Sequence, residues 1–380
     1  MYTPSLFSLA LFASSVTAEM SLSQAIAANN GTLSTFSMLL GQQPALVRAL
    51  SNSSSGITIL APSNAAFAKF LAVPANKAAA GQSDVVAAVL EYHVLNGTFP
   101  ASKFTKEAQF VPTLLTNSSY TQVTGGQVVQ VTLDGSNAVV TTGLKEKSTT
   151  IMTDIMFTGG VMHIVDTVLT IPLSPAMSAM DSNLLSLAGA LTTTSLVGPV
   201  DSLKDVTIFA PSNEAFEKIG GTAAALPTIE LSQILEYHVL NGTVGYSTLL
   251  TSGLANESFP TLMGKSLTVT SEDSKVFINS AQVITTDIIV SNGVMHVIDN
   301  VLNPSNATVV ENPTATTQPI AFAGATSAAS APFTSGITAT TTAPSAATGT
   351  SIKTGAGEKL VGREGLGGMV AAVVGAIVLL

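Results

Sequence analysis

Cysteine and tryptophan are absent from all 380 residues. Without cysteine there is no disulfide, no thiolate metal ligand and no sulfur nucleophile. Charge is scarce as well: Asp, Glu, Lys and Arg make up 10% of the chain and leave a net charge of −9. No basic stretch occurs, so the clustered Lys and Arg that nucleic acid binding requires are missing. Aromatic residues are 5% of the chain and histidines number 4, which leaves little material for stacking platforms or imidazole chemistry. What is abundant is apolar: 46% of the residues are hydrophobic. That suffices for domains of about 130 residues held together by burial alone, and the length accommodates two of them with appendages.

The two ends read as processing signals. Residues Leu6 to Val16 are mostly apolar and run into Val16-Thr17-Ala18, whose small residues suit signal peptidase. A signal peptide over 1–18 is expected, the alternative being a membrane anchor for which the run is too short. At the other end, Gly355-Ala356-Gly357 precedes a polar spacer with Glu358, Lys359, Arg363 and Glu364, and then an apolar tail from Gly368 to Leu380. Small residues, spacer and short tail describe a lipid-anchor (GPI) attachment signal over 355–380, with attachment at Gly355. A weak single-pass anchor is the competing reading. Seven Asn-x-Ser/Thr sequons stand at Asn30, Asn52, Asn96, Asn117, Asn241, Asn256 and Asn306, in keeping with a glycoprotein on the secretory route.

The octapeptide EYHVLNGT occurs at 91–98 and again at 236–243. Upstream of it, ITILAPSNAAFAKF (57–70) matches VTIFAPSNEAFEKI (206–219). Downstream, TDIMFTGGVMHIVDTVL (153–169) matches TDIIVSNGVMHVIDNVL (286–302). The same order in both halves is a tandem duplication. The first copy is the longer, mainly after the octapeptide, and its extra residues belong in loops. In each copy a β-rich run is stopped by Pro, and Ser63 or Ser212 is placed to cap a following helix. Leu231, Ile234 and Leu235 keep helical spacing up to Tyr237-His238, and Asn241-Gly242 ends that element in a tight turn. Leu267, Val269, Val276, Ile278 and Val283 fall in short alternating runs. Helices first and strands second predict an α+β domain. From 304 to 354 the chain is rich in Ala, Thr, Ser and Pro, which predicts a disordered, O-glycosylated stalk. Such a stalk would reach roughly 150 Å.

TIFAPSNEAF, ILEYHVLNG and NGVMHVIDNVL, in this order and spacing, resemble the fasciclin-type domain, and the whole plan is similar to fungal lipid-anchored cell-surface members. The resemblance covers residues 19–172 and 175–303. It implies two wedge-shaped β-sandwiches with capping helices, and non-catalytic extracellular adhesion. It also implies a binding role for the segment around Tyr92, His93, Tyr237 and His238.

The repeated histidines admit three readings on their own residues. His93 with Asp166, or His238 with Asp299, could form a base oriented by a carboxylate, but no nucleophile elbow accompanies them. His93 with His163, or His238 with His296, could converge on a metal, although no H-x-H or H-x-x-x-H spacing occurs. The third reading is a buried histidine that fixes a helix end, repeated because the domain is repeated. No catalytic residue, cofactor or metal is therefore expected. The expected partners are protein or glycan ligands of the cell surface or matrix, homophilic binding included, and no nucleic acid. The expected place is the outer face of the plasma membrane or the cell wall. The alternative is a maturation factor of the wall or of the secretory and vacuolar membranes. Intact-mass measurement before and after enzymatic deglycosylation is expected to show loss of several N-glycans, and an unchanged mass would contradict the secretory reading.

Overall fold

The computed structural model describes residues 20–51, 56–273 and 275–339. The expected signal peptide, Asn52, and the segment from 340 onward with Gly355 lie outside the described residues. Each repeat builds one seven-stranded sheet flanked by helices. In the first domain the strands are β1 (Ile57–Pro62), β2 (Val94–Asn96), β3 (Gln109–Pro112), β4 (Val128–Asp134), β5 (Asn137–Thr141), β6 (Lys147–Phe157) and β7 (Gly160–Val165). In the second they are β8 (Val206–Pro211), β9 (Val239–Leu240), β10 (Glu257–Pro260), β11 (Ser266–Glu272), β12 (Lys275–Ile278), β13 (Ala281–Val290) and β14 (Gly293–Ile298). The sheet orders, β2-β1-β7-β6-β5-β4-β3 and β9-β8-β14-β13-β12-β11-β10, are the same topology twice.

The topology departs from the expected sandwich. β1 pairs in parallel with β7, joining the first and last strands of the repeat. The far edges then meet: Leu95 bridges to Thr113, and Leu240 to Thr261. The result, among the described residues, is one sheet per domain curled into a near-barrel. Two cores follow in each domain. Inside the barrel of domain 1, Leu60, Val111, Val129, Val140 and Val165 pack on Tyr92. Outside it, Ile57, Ile59 and Ala61 meet helical Leu33, Phe36, Leu40 and Phe67. β1 and β8 are therefore buried on both faces along their full length, which is why they are apolar apart from Thr58 and Thr207, whose hydroxyls donate to the Gly97 and Thr243 carbonyls.

The repeated motifs explain the joints. Ser63 and Ser212 cap their helices, accepting from the amides of Ala66 (3.2 Å) and Ala215 (3.1 Å). The next residue reaches backward: Asn64 accepts from the amide of Thr35 and donates to Gly31, as Asn213 does with Ser186 and Asn183. The glycine before Val-Met-His is set by close approach. A Cβ on Gly160 would stand 2.2 Å from the Ile57 carbonyl oxygen, and one on Gly293 1.9 Å from that of Val206.

The extra length of the first copy lies largely between β3 and β4, where residues 113–127 stand in place of 261–265. This loop grips the second domain. Gln122 donates its amide to the Ser291 carbonyl at 2.8 Å, and Thr124 donates its amide to the Asp205 carboxylate at 2.7 Å. Buried Gln127 donates to the Val290 carbonyl at 3.1 Å, and Phe110 stacks on Tyr246 with centroids 4.1 Å apart.

The expected stalk is corrected for its first part. Residues 304–339 lie against the second domain, with Gln318 and Ala321 buried. Composition argues that this stretch cannot form a core of its own, and it does not need one. Phe322, Ala325, Phe333 and Ile337 pack on a core already formed by the domain.

Gly293→Ala is expected to destabilise the second domain by about 1–3 kcal/mol through collision with β8. Urea unfolding reads this directly, and an unchanged midpoint would contradict the parallel β8–β14 pairing.

Candidate functional site

The octapeptide sits where three elements meet. Helix Ser83–Tyr92 ends with His93 as its C-cap. The last turn of a helix leaves carbonyls without partners, and the His93 ring supplies one donor, Nδ1 lying 2.7 Å from the Val89 carbonyl oxygen. A carbonyl only accepts, so Nδ1 carries the proton. Nε2 is then the acceptor, and it takes the Leu169 amide at 2.8 Å, just beyond β7. The His93 carbonyl accepts the Leu60 amide of β1 at 2.8 Å. One residue thus joins the helix end, the first strand and the chain leaving the sheet. His238 repeats the arrangement with Ile234 (2.7 Å), Leu302 (2.9 Å) and Phe209 (2.9 Å).

The preceding tyrosine ties the same helix end to the far side of the barrel. Tyr92 donates to the Val128 carbonyl at 3.0 Å and Tyr237 to the Ser266 carbonyl at 2.9 Å. Tyr237 also accepts from Asn279 at 2.9 Å.

The other two histidines carry the opposite tautomer. His163 Nε2 donates to Phe99 (2.8 Å) and Nδ1 accepts the Asp154 amide (3.2 Å). His296 does the same with Gly245 (2.8 Å) and Asp287 (3.2 Å). Asp154 and Asp287 take positive φ in irregular stretches of β6 and β13, and their carboxylates accept from Ala101 and Ser247. These aspartates, with Asn64 and Asn213, were not singled out from the sequence. Their recurrence inside the repeated segments was the available signal.

All eight ring nitrogens are therefore engaged by main chain. The pairing of His93 with Asp166 and of His238 with Asp299 does not form: Asp166 accepts from Thr149, and Asp299 from Gln282. His93 and His163 do not converge on a common point, nor do His238 and His296. Among the described residues, no group of three His, Asp or Glu side chains could hold a metal ion. The binding role that the resemblance implied for Tyr92, His93, Tyr237 and His238 meets a physical obstacle, because all four are 0–2% exposed. A partner cannot touch them without opening the domain.

Two family matches follow the duplication: the fasciclin domain covers residues 31–172 and 182–304. This chain belongs to the fasciclin domain family. It is 34% identical over 308 residues to a fasciclin-like arabinogalactan protein of Arthroderma benhamiae, spanning 80% of this chain and 72% of that relative. It is 28% identical over 274 residues to the fasciclin-like arabinogalactan protein elcF of Phaeosphaeria nodorum, spanning 71% and 85%. A shorter match, 33% over 156 residues, links it to the transforming growth factor-beta-induced protein ig-h3 of Sus scrofa, spanning 38% and 21%. The chain is a non-catalytic adhesion and interaction module.

Around the fasciclin domains, the sequons differ in access. Asn30, Asn96, Asn117, Asn241 and Asn256 are exposed. Asn306 is half-buried, and its amide donates to the Ala321 carbonyl at 2.9 Å, so a glycan there has to be built on a nitrogen already in use. No helix among the described residues is long and apolar enough to cross a membrane.

Burial holds the octapeptide histidines neutral. Desolvation pushes both His93 and His238 from the ordinary 6.5 down to about 4, against a smaller opposing effect of the carbonyl each one donates to. In the unfolded chain both regain their ordinary ionisation. Between pH 6.5 and 4 the unfolded chain thus binds more protons, so this contribution to stability is complete above pH 6.5 and is lost as pH falls toward 4. Comparison of wild type with His238→Gln between pH 7 and about 5, above the usual carboxylate range, isolates the effect. The wild type is expected to show the steeper loss. His238→Ala at neutral pH is expected to cost about 1–3 kcal/mol, since it orphans the Leu302 amide and the Ile234 carbonyl. Unchanged melting of His238→Ala with abolished binding would instead make the histidine a contact residue.

Proposed function

We propose that this chain is an adhesion module tethered to the outer face of the plasma membrane or cell wall, binding through the surfaces of its two fasciclin domains. The observation that carries the reading is the internal use of the repeated motifs. Their histidines and tyrosines are buried with partners, so none of these groups is poised for chemistry, which favours function on the surface. Relatives described as fasciclin-like arabinogalactan proteins support an extracellular place. The signal peptide over 1–18 and lipid attachment at Gly355 supply the route and the tether.

The surface of β6 offers exposed apolar side chains suited to protein contact. Ile151, Met152 and Met156 on β6 are 56%, 46% and 57% exposed. The corresponding strand of the second domain, β13, exposes Ile284. Two domains in series add avidity when both engage. The ligand class is a protein or glycan of the surface or matrix, with a second copy of the chain as the first candidate. Beads coated with the secreted chain are expected to cluster, and a triple Ser substitution at 151, 152 and 156 is expected to disperse them without lowering Tm. Dispersed wild-type beads would remove self-adhesion and point to a heterologous ligand. Phosphatidylinositol-specific phospholipase C is expected to release the protein from intact cells, and retention after treatment would contradict the lipid tether.

A further inference from the structure

Residues 304–339 do more than drape over the second domain. Lys265 and Lys275 donate to the carbonyls of Pro304 and Pro313. Asn312 and Gln318 close a clasp through bonds of 2.8 and 2.9 Å. The side-chain amides of Asn300 and Asn303 then hold the carbonyls of Pro319 and Ala321, each at 3.1 Å. From there the strap crosses three helices of the domain, Leu185–Thr193, Asn213–Lys218 and Gly220–Ala223. Gly221 donates its amide to the Thr326 carbonyl (3.0 Å), Ala328 donates to the Glu217 carbonyl (2.9 Å), and Ser186 Oγ donates to the Pro332 carbonyl (2.7 Å). Phe333 meets Phe216 edge-on with centroids 6.1 Å apart. It does so at a φ of 62°, a conformation that a bulky residue keeps only where contacts hold it.

The seat is cut to fit. A Cβ on Gly189 would lie 1.7 Å from the Phe333 carbonyl oxygen, one on Gly220 2.4 Å from Ala328 Cβ, and one on Gly221 2.2 Å from Thr326 Oγ1. Glycine inside a helix is unfavourable relative to alanine, so Gly189 marks a place where another backbone must come close, and Gly220 and Gly221 add room at the junction of the next two helices. The first domain does not share them. Aligning the two Pro-Ser-Asn motifs, and the bonds of Asn64 to Thr35 and Asn213 to Ser186, places Met38, Leu71 and Ala72 at these positions. Met38 is 57% exposed. The face that binds the strap was thus altered in one copy of a duplicated domain.

We propose that the helical face of the second fasciclin domain is a peptide-binding groove, and that residues 318–337 of the same chain are its ligand. The groove takes an extended segment of small residues. It reads the backbone through donors to the carbonyls of 319, 321, 326 and 332, and it admits side chains at 325, 333 and 337. The seated strap covers this face of the second domain, whereas among the described residues Met38 at the matching position of the first is exposed.

Hydrogen exchange and limited proteolysis of the full secreted chain test the groove. In wild type the Ala328 amide is expected to be protected, and residues 318–337 to resist cleavage. Phe333→Ala removes the anchor and leaves the seat open, so the strap is expected to lose protection. A labelled synthetic peptide of residues 318–337 is then expected to bind this variant. Gly189→Ala blocks the seat, so the strap is expected to lose protection and the peptide not to bind. In both variants the domain core keeps its own protection, which separates release of the strap from misfolding. The proposal is overturned if the wild-type strap exchanges as freely as an unfolded chain. It is equally overturned if Gly189→Ala raises Tm and leaves the strap unaffected, the behaviour of a helix glycine with nothing against it.

Discussion

A neutral imidazole with both nitrogens bonded to main chain is the joint on which each domain depends. It stands at the end of a helix, where carbonyls need a donor, and beside the exit of the last strand, where an amide needs an acceptor. Only a neutral histidine offers one of each on a rigid ring. The joint keeps its strength because it is dry, and dryness keeps the ring neutral. Interaction and burial are therefore one constraint: the sheet and the helices packed on it exclude water from the ring, and the ring ties the helix end to the sheet. A buried polar group left without its partner is costly, so the arrangement tolerates little variation at this residue.

The duplication then let the two copies diverge at their edges while the joint stayed fixed. The first copy acquired a longer β3–β4 connection, and that loop bonds to Val290, Ser291 and Asp205 of the second. The second copy carries glycines on its helical face, over which the following chain lies. Each change uses surface beyond the joint, either to fix one domain on the other or to seat the segment that follows the second domain.

Much of this was legible from residues alone. The repeat was visible because three motifs recur in order, and the Ser63 and Ser212 caps because Pro-Ser-Asn precedes an apolar helical spacing. Burial of the histidines was one of three open readings. The partners that decide among them, Leu169 and Leu302, are far away in the chain and contribute only backbone amides, which carry no side-chain signature. Barrel closure was hidden for the same reason, since Leu95 and Thr113 meet through main chain. The strap was misread because composition measures whether a segment can build a core, whereas Phe322, Phe333 and Ile337 borrow one. Gly189 held the clue, as a glycine inside a helix with no turn to explain it.

Long-range ¹H–¹⁵N correlation of the imidazole nitrogens across pH 4.5 to 8 tests the joint most directly. The account predicts two fixed tautomeric forms, with His93 and His238 neutral throughout most of that range. His93 and His238 carry the proton on Nδ1, and His163 and His296 on Nε2. Averaged tautomers for His93 and His238, with titration near the ordinary 6.5, would mean solvent-exposed rings and would contradict the account.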